Sequence, residues 1–427
     1  MAQRSCTPLA DCDDDTAHAM NPAPSPALGT YADGFAPLAN TFADALRSGA
    51  EHGAALTVYR RGKCVVDLWG GLADVERRVP WERDTRVVVF SVTKGLAAMA
   101  LNLLADRGQL EWDAPVATHW PGFAQAGKGA ITLRTLFNHR AGLPGLDEPL
   151  TMDDCLLDAR KGHLLATLEK QKPRWEPGTS QGYHAITFGM YAREVFERIA
   201  GESMGAFLAR ELFEPLGADV SLGTPASLDG RMATLYPPSL GDRLRLGLPG
   251  LLGCDTEDAR IARAMIAPCS LPRFAFTTPS LGPRGVGVYG EPAVRRAQLA
   301  WASATGSAHG VARAYLPFAH GGAFEGRTFL KASTLEPIYR RQGWSERDAV
   351  LQKPLGWSQG FLKEETKLFS PNEASFGHAG LGGALGWCDP VAGLSFGYVM
   401  NRLDPHVRSP RALALCRALY ACEPLAS

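Results

Sequence analysis

The chain has 427 residues, of which 45% are hydrophobic and 21% charged, with 44 basic side chains against 44 acidic ones. This composition describes a globular protein with a large core, built as one big domain or two closely joined ones. A net charge of zero offers no overall field for nucleic acid or an anionic membrane, no apolar run is long enough to span a bilayer, and the first residues do not read as a secretory signal.

The nine cysteines show neither metal-ligand nor disulfide spacing. They fit small apolar fillers in a reducing compartment, so a cytoplasmic location is expected, with no metal and no cofactor.

In chain order, residues 1–30 carry the run Asp13-Asp14-Asp15 and a proline-rich segment, and are expected to form a flexible leader. Leu38, Phe42, Ala45 and Leu46 predict an amphipathic helix over residues 35–50. Residues 55–59 and 64–69 read as a hairpin turned at 60–63. Val87, Val88, Val89 and Phe90 then lead, extended, into a helix from Leu96 that is apolar on nearly every side and therefore belongs in the interior. Another helix, capped by Thr132, follows, and two more lie between Thr187 and Leu216. The Gly- and Pro-rich stretch 218–295 is expected to be irregular and to wall or lid a site. Helix returns over 292–318, strands over 356–362, 383–388 and 394–400, and a final helix over 410–420.

Antiparallel neighbours with short links assemble these five strands most simply. The expected fold is α/β, of the α+β type: an antiparallel sheet of about five strands built from both chain ends (31–80 and 345–427), flanked by helices. A mostly helical domain (81–344) is inserted between them. Ser91 lies at the seam, where clefts form.

Ser91-Val92-Thr93-Lys94 is the one Ser-x-x-Lys in the chain. It places hydroxyl and amine one helical turn apart on one face, at the start of the most interior-looking helix. A buried ammonium is costly unless it pairs or loses its proton, and a serine hydroxyl is a poor nucleophile until a base takes its proton. One turn of helix meets both needs, and the helix N-terminus offers N–H groups to an oxyanion.

Tyr183 follows the Pro177-Gly178 turn, and its phenol is a candidate general base or acid. Between Gly377 and Gly386 half the residues are glycine, which weakens a strand and suits close approach of another backbone or a substrate. An N–H near Leu381 is placed to complete an oxyanion hole with that of Ser91. His378 and Gly380 are candidate substrate contacts.

Ser91-Val92-Thr93-Lys94, Tyr183-His184-Ala185 and His378-Ala379-Gly380 resemble, in order, the three motifs of the serine β-lactamase and penicillin-binding-protein superfamily. The closest resemblance is to its class C-like esterase branch, the family VIII carboxylesterases. Residues 134–143 also resemble that family's segment after the nucleophile helix, and the likeness runs from about residue 35 to 420. It implies an acyl-enzyme mechanism with Ser91 as nucleophile and Lys94 and Tyr183 sharing base and acid duties.

Two positions depart from the β-lactamase pattern: Ala185 stands where an asparagine holds the substrate amide, and His378 where a lysine attracts a substrate carboxylate. Both changes favour an ester over a β-lactam or peptide. The expected substrate is a small carboxylic ester of short to medium acyl chain, with no nucleic-acid or membrane partner. Acyl transfer to an alcohol, β-lactam or D-amino-peptide hydrolysis, and mere binding on an enzyme scaffold are the rival readings. Gly-x-Ser-x-Gly also occurs around Ser180, Ser203, Ser358 and Ser395, but none has the strand before and helix after that a nucleophile elbow needs.

Overall fold

Residues 27–251, 254–363 and 367–425 are described by the computed structural model. Their main sheet has ten strands: β1 (Leu28–Tyr31), β2 (Gly53–Arg60), β3 (Lys63–Asp74), β4 (Val79–Pro80), β5 (Gly343–Ser345), β6 (Leu355–Ser358), β7 (Phe361–Lys363), β8 (Phe376–Ala379), β9 (Leu385–Asp389) and β10 (Leu394–Met400). Their order is β1-β3-β2-β10-β9-β8-β7-β6-β5, with β4 on β3, and every pairing is antiparallel.

The β2–β3 hairpin turns through Arg61 and Gly62, both at positive φ, which matches the right-handed twist of the strands it joins. The two chain ends meet where β10 pairs with β2, from Leu394 opposite Arg60 to Met400 opposite Ala54. Asp389 closes the β9–β10 turn by accepting the N–H groups of Val391 and Ala392.

The antiparallel sheet from both ends is as expected, but it has ten strands rather than about five. Residues 356–362 are not one strand: Gln359 and Gly360, both at positive φ, fold them into the β6–β7 hairpin. Of the expected leader, residues 1–26 lie outside the described ones, whereas Leu28–Tyr31 form edge strand β1.

Helices α1 (Ala36–Arg47), α2 (Val92–Asp106), α3 (Thr187–Ala200), α4 (Leu240–Leu251), α5 (Glu257–Ile266), α6 (Ala308–Ala314) and α7 (Pro410–Tyr420) complete the frame around the site. The stretch 218–295 is more helical than expected. It holds α4, α5 and a short helix at Leu271–Phe276, because Thr256 and Ser270 cap helix starts that the glycines and prolines conceal. Conversely, 292–318 is not one helix but three short pieces interrupted by a two-residue strand at Thr305–Gly306.

α1 and α7 pack together over one face of the sheet, and α6 and α2 cover the other. The second contact explains two glycines. Gly386 and Gly397 are cross-strand partners in β9 and β10. A Cβ on Gly397 would lie 2.2 Å from the Ala308 carbonyl oxygen, and one on Gly386 2.9 Å from Val92 Cγ1. The bare patch lets the start of α6 and of α2 rest directly on the sheet. Gly397→Ala is expected to lower stability by about 1–3 kcal/mol through overpacking. The measurement is a lower urea midpoint with an unchanged denaturant slope.

Candidate active site

Ser91 occupies the N-cap of α2, yet its hydroxyl makes no capping bond and is left to face the cleft. The preceding residue, Phe90, has φ 46°, a conformation that costs a bulky side chain energy. The surroundings hold it there. Val89 N–H donates to Ala304 O (3.0 Å), Ala304 N–H donates to Thr93 Oγ1 (3.1 Å), and the Phe90 ring meets Tyr289 edge-on.

Lys94 is 1% exposed, and from Val92 to Leu104 every residue of α2 is buried. Its Nζ lies 2.9 Å from Ser91 Oγ and donates to the Trp301 carbonyl at 3.0 Å. Burial holds its pKa well below the ordinary lysine value, and among the described residues no carboxylate opposes that shift. Burial thus shifts the balance from the ammonium toward the neutral amine, whose nitrogen lies beside the hydroxyl.

Tyr183 comes from 92 residues further along and donates its phenol O–H to Ser91 Oγ at 3.1 Å. Its ring stacks on Trp357 at 5.6 Å and 7°, with His139 packed 5.1 Å away. Asp348 anchors its backbone: one buried carboxylate oxygen accepts the N–H groups of Tyr183 (3.0 Å), Val350 and Leu351 (both 2.9 Å). His184 points away from the cleft, donating from Nδ1 to Gly182 O and accepting the Leu143 N–H at Nε2. Burial pushes its pKa down to about 3, so it is a neutral structural imidazole.

His378 lies on β8 and lines the cleft. It donates from Nδ1 to its neighbour's carbonyl, Ala379 O, at 2.7 Å, and among the described residues its buried Nε2 has no partner. Burial above all pushes its pKa down to about 3, against the bond to Ala379 O, which raises it. At neutral pH it presents a lone pair rather than a cation. The glycine-rich loop after β8 lines the cleft too. Gly380 donates its N–H to Ala384 O at 2.6 Å, which leaves it a wall residue rather than a donor. Among the described residues, the Ser91 and Leu381 amides have no such acceptor.

Ile261 and Met265 of α5 join Ser91, Leu351, Leu355, Trp357 and Phe369 around a mostly apolar cavity of about 280 Å³. Among the described residues no group of three or more His, Cys, Asp or Glu is placed to hold a metal ion.

The structure thus brings together Ser91, Lys94, Tyr183, His378, Gly380 and Leu381, and it places the four Gly-x-Ser-x-Gly serines elsewhere. Ser203 caps a helix, Ser358 donates to Pro337 O, Ser395 is buried in β10, Ser180 is exposed, and none lines the cleft. Asp348, the Trp301 carbonyl and the two α5 side chains carry no local sequence signal. Trp357 does sit inside one of the discarded Gly-x-Ser-x-Gly segments.

Residues 38–419 match the Beta-lactamase family model. The esterase/beta-lactamase LipL of Mycobacterium tuberculosis (strain ATCC 25618 / H37Rv) is 33% identical over 380 residues, 86% of this chain and 81% of that protein. Esterase EstB of Burkholderia gladioli is 30% identical over 195 residues, 41% of this chain and 48% of that protein. A crystal structure of a family VIII carboxylesterase superposes with a TM-score of 0.77 at 33% identity, covering 93% of this chain and 99% of that one. A penicillin-binding-protein homologue from Caulobacter crescentus gives the same TM-score and coverage at 32% identity. With the match spanning nearly the whole sheet, the helical insertion and the cleft, the chain belongs to the Beta-lactamase family.

Proposed function

We propose that this protein is a serine carboxylesterase that works through an acyl-enzyme. The observation that carries the reading is the pair of contacts at one oxygen: Ser91 Oγ lies 2.9 Å from a buried amine and 3.1 Å from a phenol.

In the first half-reaction Lys94 Nζ takes the Ser91 proton as Oγ attacks the ester carbonyl carbon. The N–H groups of Ser91 and Leu381 hold the oxyanion. As the C–O bond to the alcohol breaks, Tyr183 gives its phenolic proton to the leaving oxygen and is reprotonated from Lys94. In the second half, water enters, loses a proton to the same pair, and attacks the acyl carbon, returning the Oγ–H and releasing the acid. The apolar cavity receives the acyl chain, and its size suits short to medium chains. A neutral His378 offers no charge to a substrate carboxylate, which supports esters over β-lactams. Cytoplasmic residence belongs to the same reading, supported by a cysteine spacing without a disulfide framework.

Intact-protein mass spectrometry after a fluorophosphonate probe tests the nucleophile. Wild type and Ser180→Ala are expected to gain one adduct and Ser91→Ala none, with ester turnover by Ser91→Ala down by about 10⁴-fold or more. Labelling that survives Ser91→Ala overturns the assignment.

The depressed Lys94 pKa fixes the sign of the pH dependence. The amine must be neutral, so kcat/KM rises with pH through its titration and falls as acid protonates it. Lys94→Arg, whose guanidinium stays charged, is expected to be inactive throughout the profile. A residual acid limb in that variant would point to a different base.

A chromogenic cephalosporin is expected to be turned over at least about 100-fold less efficiently than p-nitrophenyl butyrate, the loss to be expected when polar substrate groups meet no partner. Adding an alcohol acceptor to the ester assay measures how far the acyl-enzyme partitions to transfer.

A further inference from the structure

Four large apolar side chains beside the cleft stand in solvent. Leu240, Leu244 and Leu248 of α4 are 74%, 64% and 56% exposed, and Ile266 at the end of α5 is 67% exposed. At about 100° per residue, the three leucines cover about 80° of the α4 surface, with Arg243 about 60° beyond one margin and Arg245 about 60° beyond the other. Both arginines are exposed, and neither has an ion pair or side-chain hydrogen bond among the described residues. The acidic residue of this helix, Asp242, lies on the opposite side, tied to Ser239 in the helix cap. Leu246, also opposite, is only partly exposed. α4 packs on α5, whose Ile261 and Met265 wall the cleft.

We infer that α4 docks flat on an anionic lipid surface, its leucines entering the acyl boundary and Arg243 and Arg245 meeting the headgroups. An apolar stripe bordered on both sides by exposed cations, of which Arg243 has no acidic neighbour on the helix face and Arg245 only Asp242, is the pattern that a charged lipid–water interface complements. The zero net charge of the chain, which offers no overall attraction to membranes, conceals this local concentration. No helix among the described residues is long and apolar enough to cross a membrane, so the contact is peripheral. The placement also suits the chemistry. Esters with apolar chains gather at interfaces, and α4 sets the cleft mouth beside one. That delivery role rests on the esterase reading, whereas docking itself does not.

The test is co-sedimentation of the full chain with phosphatidylglycerol vesicles and, separately, phosphatidylcholine vesicles at low salt. Wild type is expected to bind the anionic vesicles preferentially. Leu240→Ser/Leu244→Ser/Leu248→Ser is expected to weaken that binding by about tenfold or more, and Arg243→Gln/Arg245→Gln to abolish the preference for anionic lipid. Neither variant touches the catalytic groups, so both should keep wild-type kcat/KM on soluble p-nitrophenyl acetate, which verifies folding. Ser91→Ala should bind vesicles like wild type, so the docking and esterase readings fail independently. Docking is overturned if wild type ignores both vesicles, if the triple variant binds undiminished, or if light scattering shows the leucines covered by a second copy at the assay concentration.

Discussion

The structure depends on keeping one lysine amine dry. Lys94 is enclosed by the apolar body of α2, with a backbone carbonyl and a serine hydroxyl as its hydrogen-bonding company. A carboxylate in the same place would stabilise the ammonium and end its usefulness as a base. Because the amine is desolvated, burial itself lowers its affinity for a proton. The cost of that burial falls on the rest of the fold, which must exclude water from the first turn of α2 without blocking the hydroxyl.

The sheet meets that demand through contact rather than through special chemistry. Gly386 and Gly397 give up side chains so that α6 and the start of α2 can lie against the strands. The strained turn at Phe90 is pinned from the other side by residue 304, in the same segment whose carbonyl at Trp301 receives Lys94. Nucleophile, amine and acceptor are thus held by pieces of chain about 200 residues apart. A mobile N-terminal turn would let water reach the amine and restore its ordinary basicity.

Much of this was readable beforehand, and the unevenness has physical causes. Ser91 and Lys94 are neighbours in sequence, so helix periodicity alone puts them on one face. Tyr183 and His378 were legible as chemistry near turns and glycines, although only the family resemblance joined them to Ser91. The strand count rises from about five to ten because β6 and β7 turn at Gln359-Gly360, a pair with a weaker turn signature than Asn-Gly, and because β1, β4, β5 and β8 are only two to four residues long, too short to show a periodicity. Residues 218–295 looked irregular because glycine and proline dominate composition, while helix starts are decided by single capping residues such as Thr256. Gly380 reads as a substrate contact by its place in the motif, but its N–H closes the loop on Ala384. Asp348 had no signature at all, since a carboxylate that serves backbone amides far away in sequence leaves no local trace.

Asp348 has one more implication. The same oxygen holds the amide of Tyr183 and the amide of Leu351, and Leu351 is part of the cavity wall. The backbone of Tyr183 and the cavity wall are therefore hinged on a single atom. Reshaping this wall at Leu351 would therefore pull on the same carboxylate oxygen that fixes the backbone beneath the Tyr183 phenol.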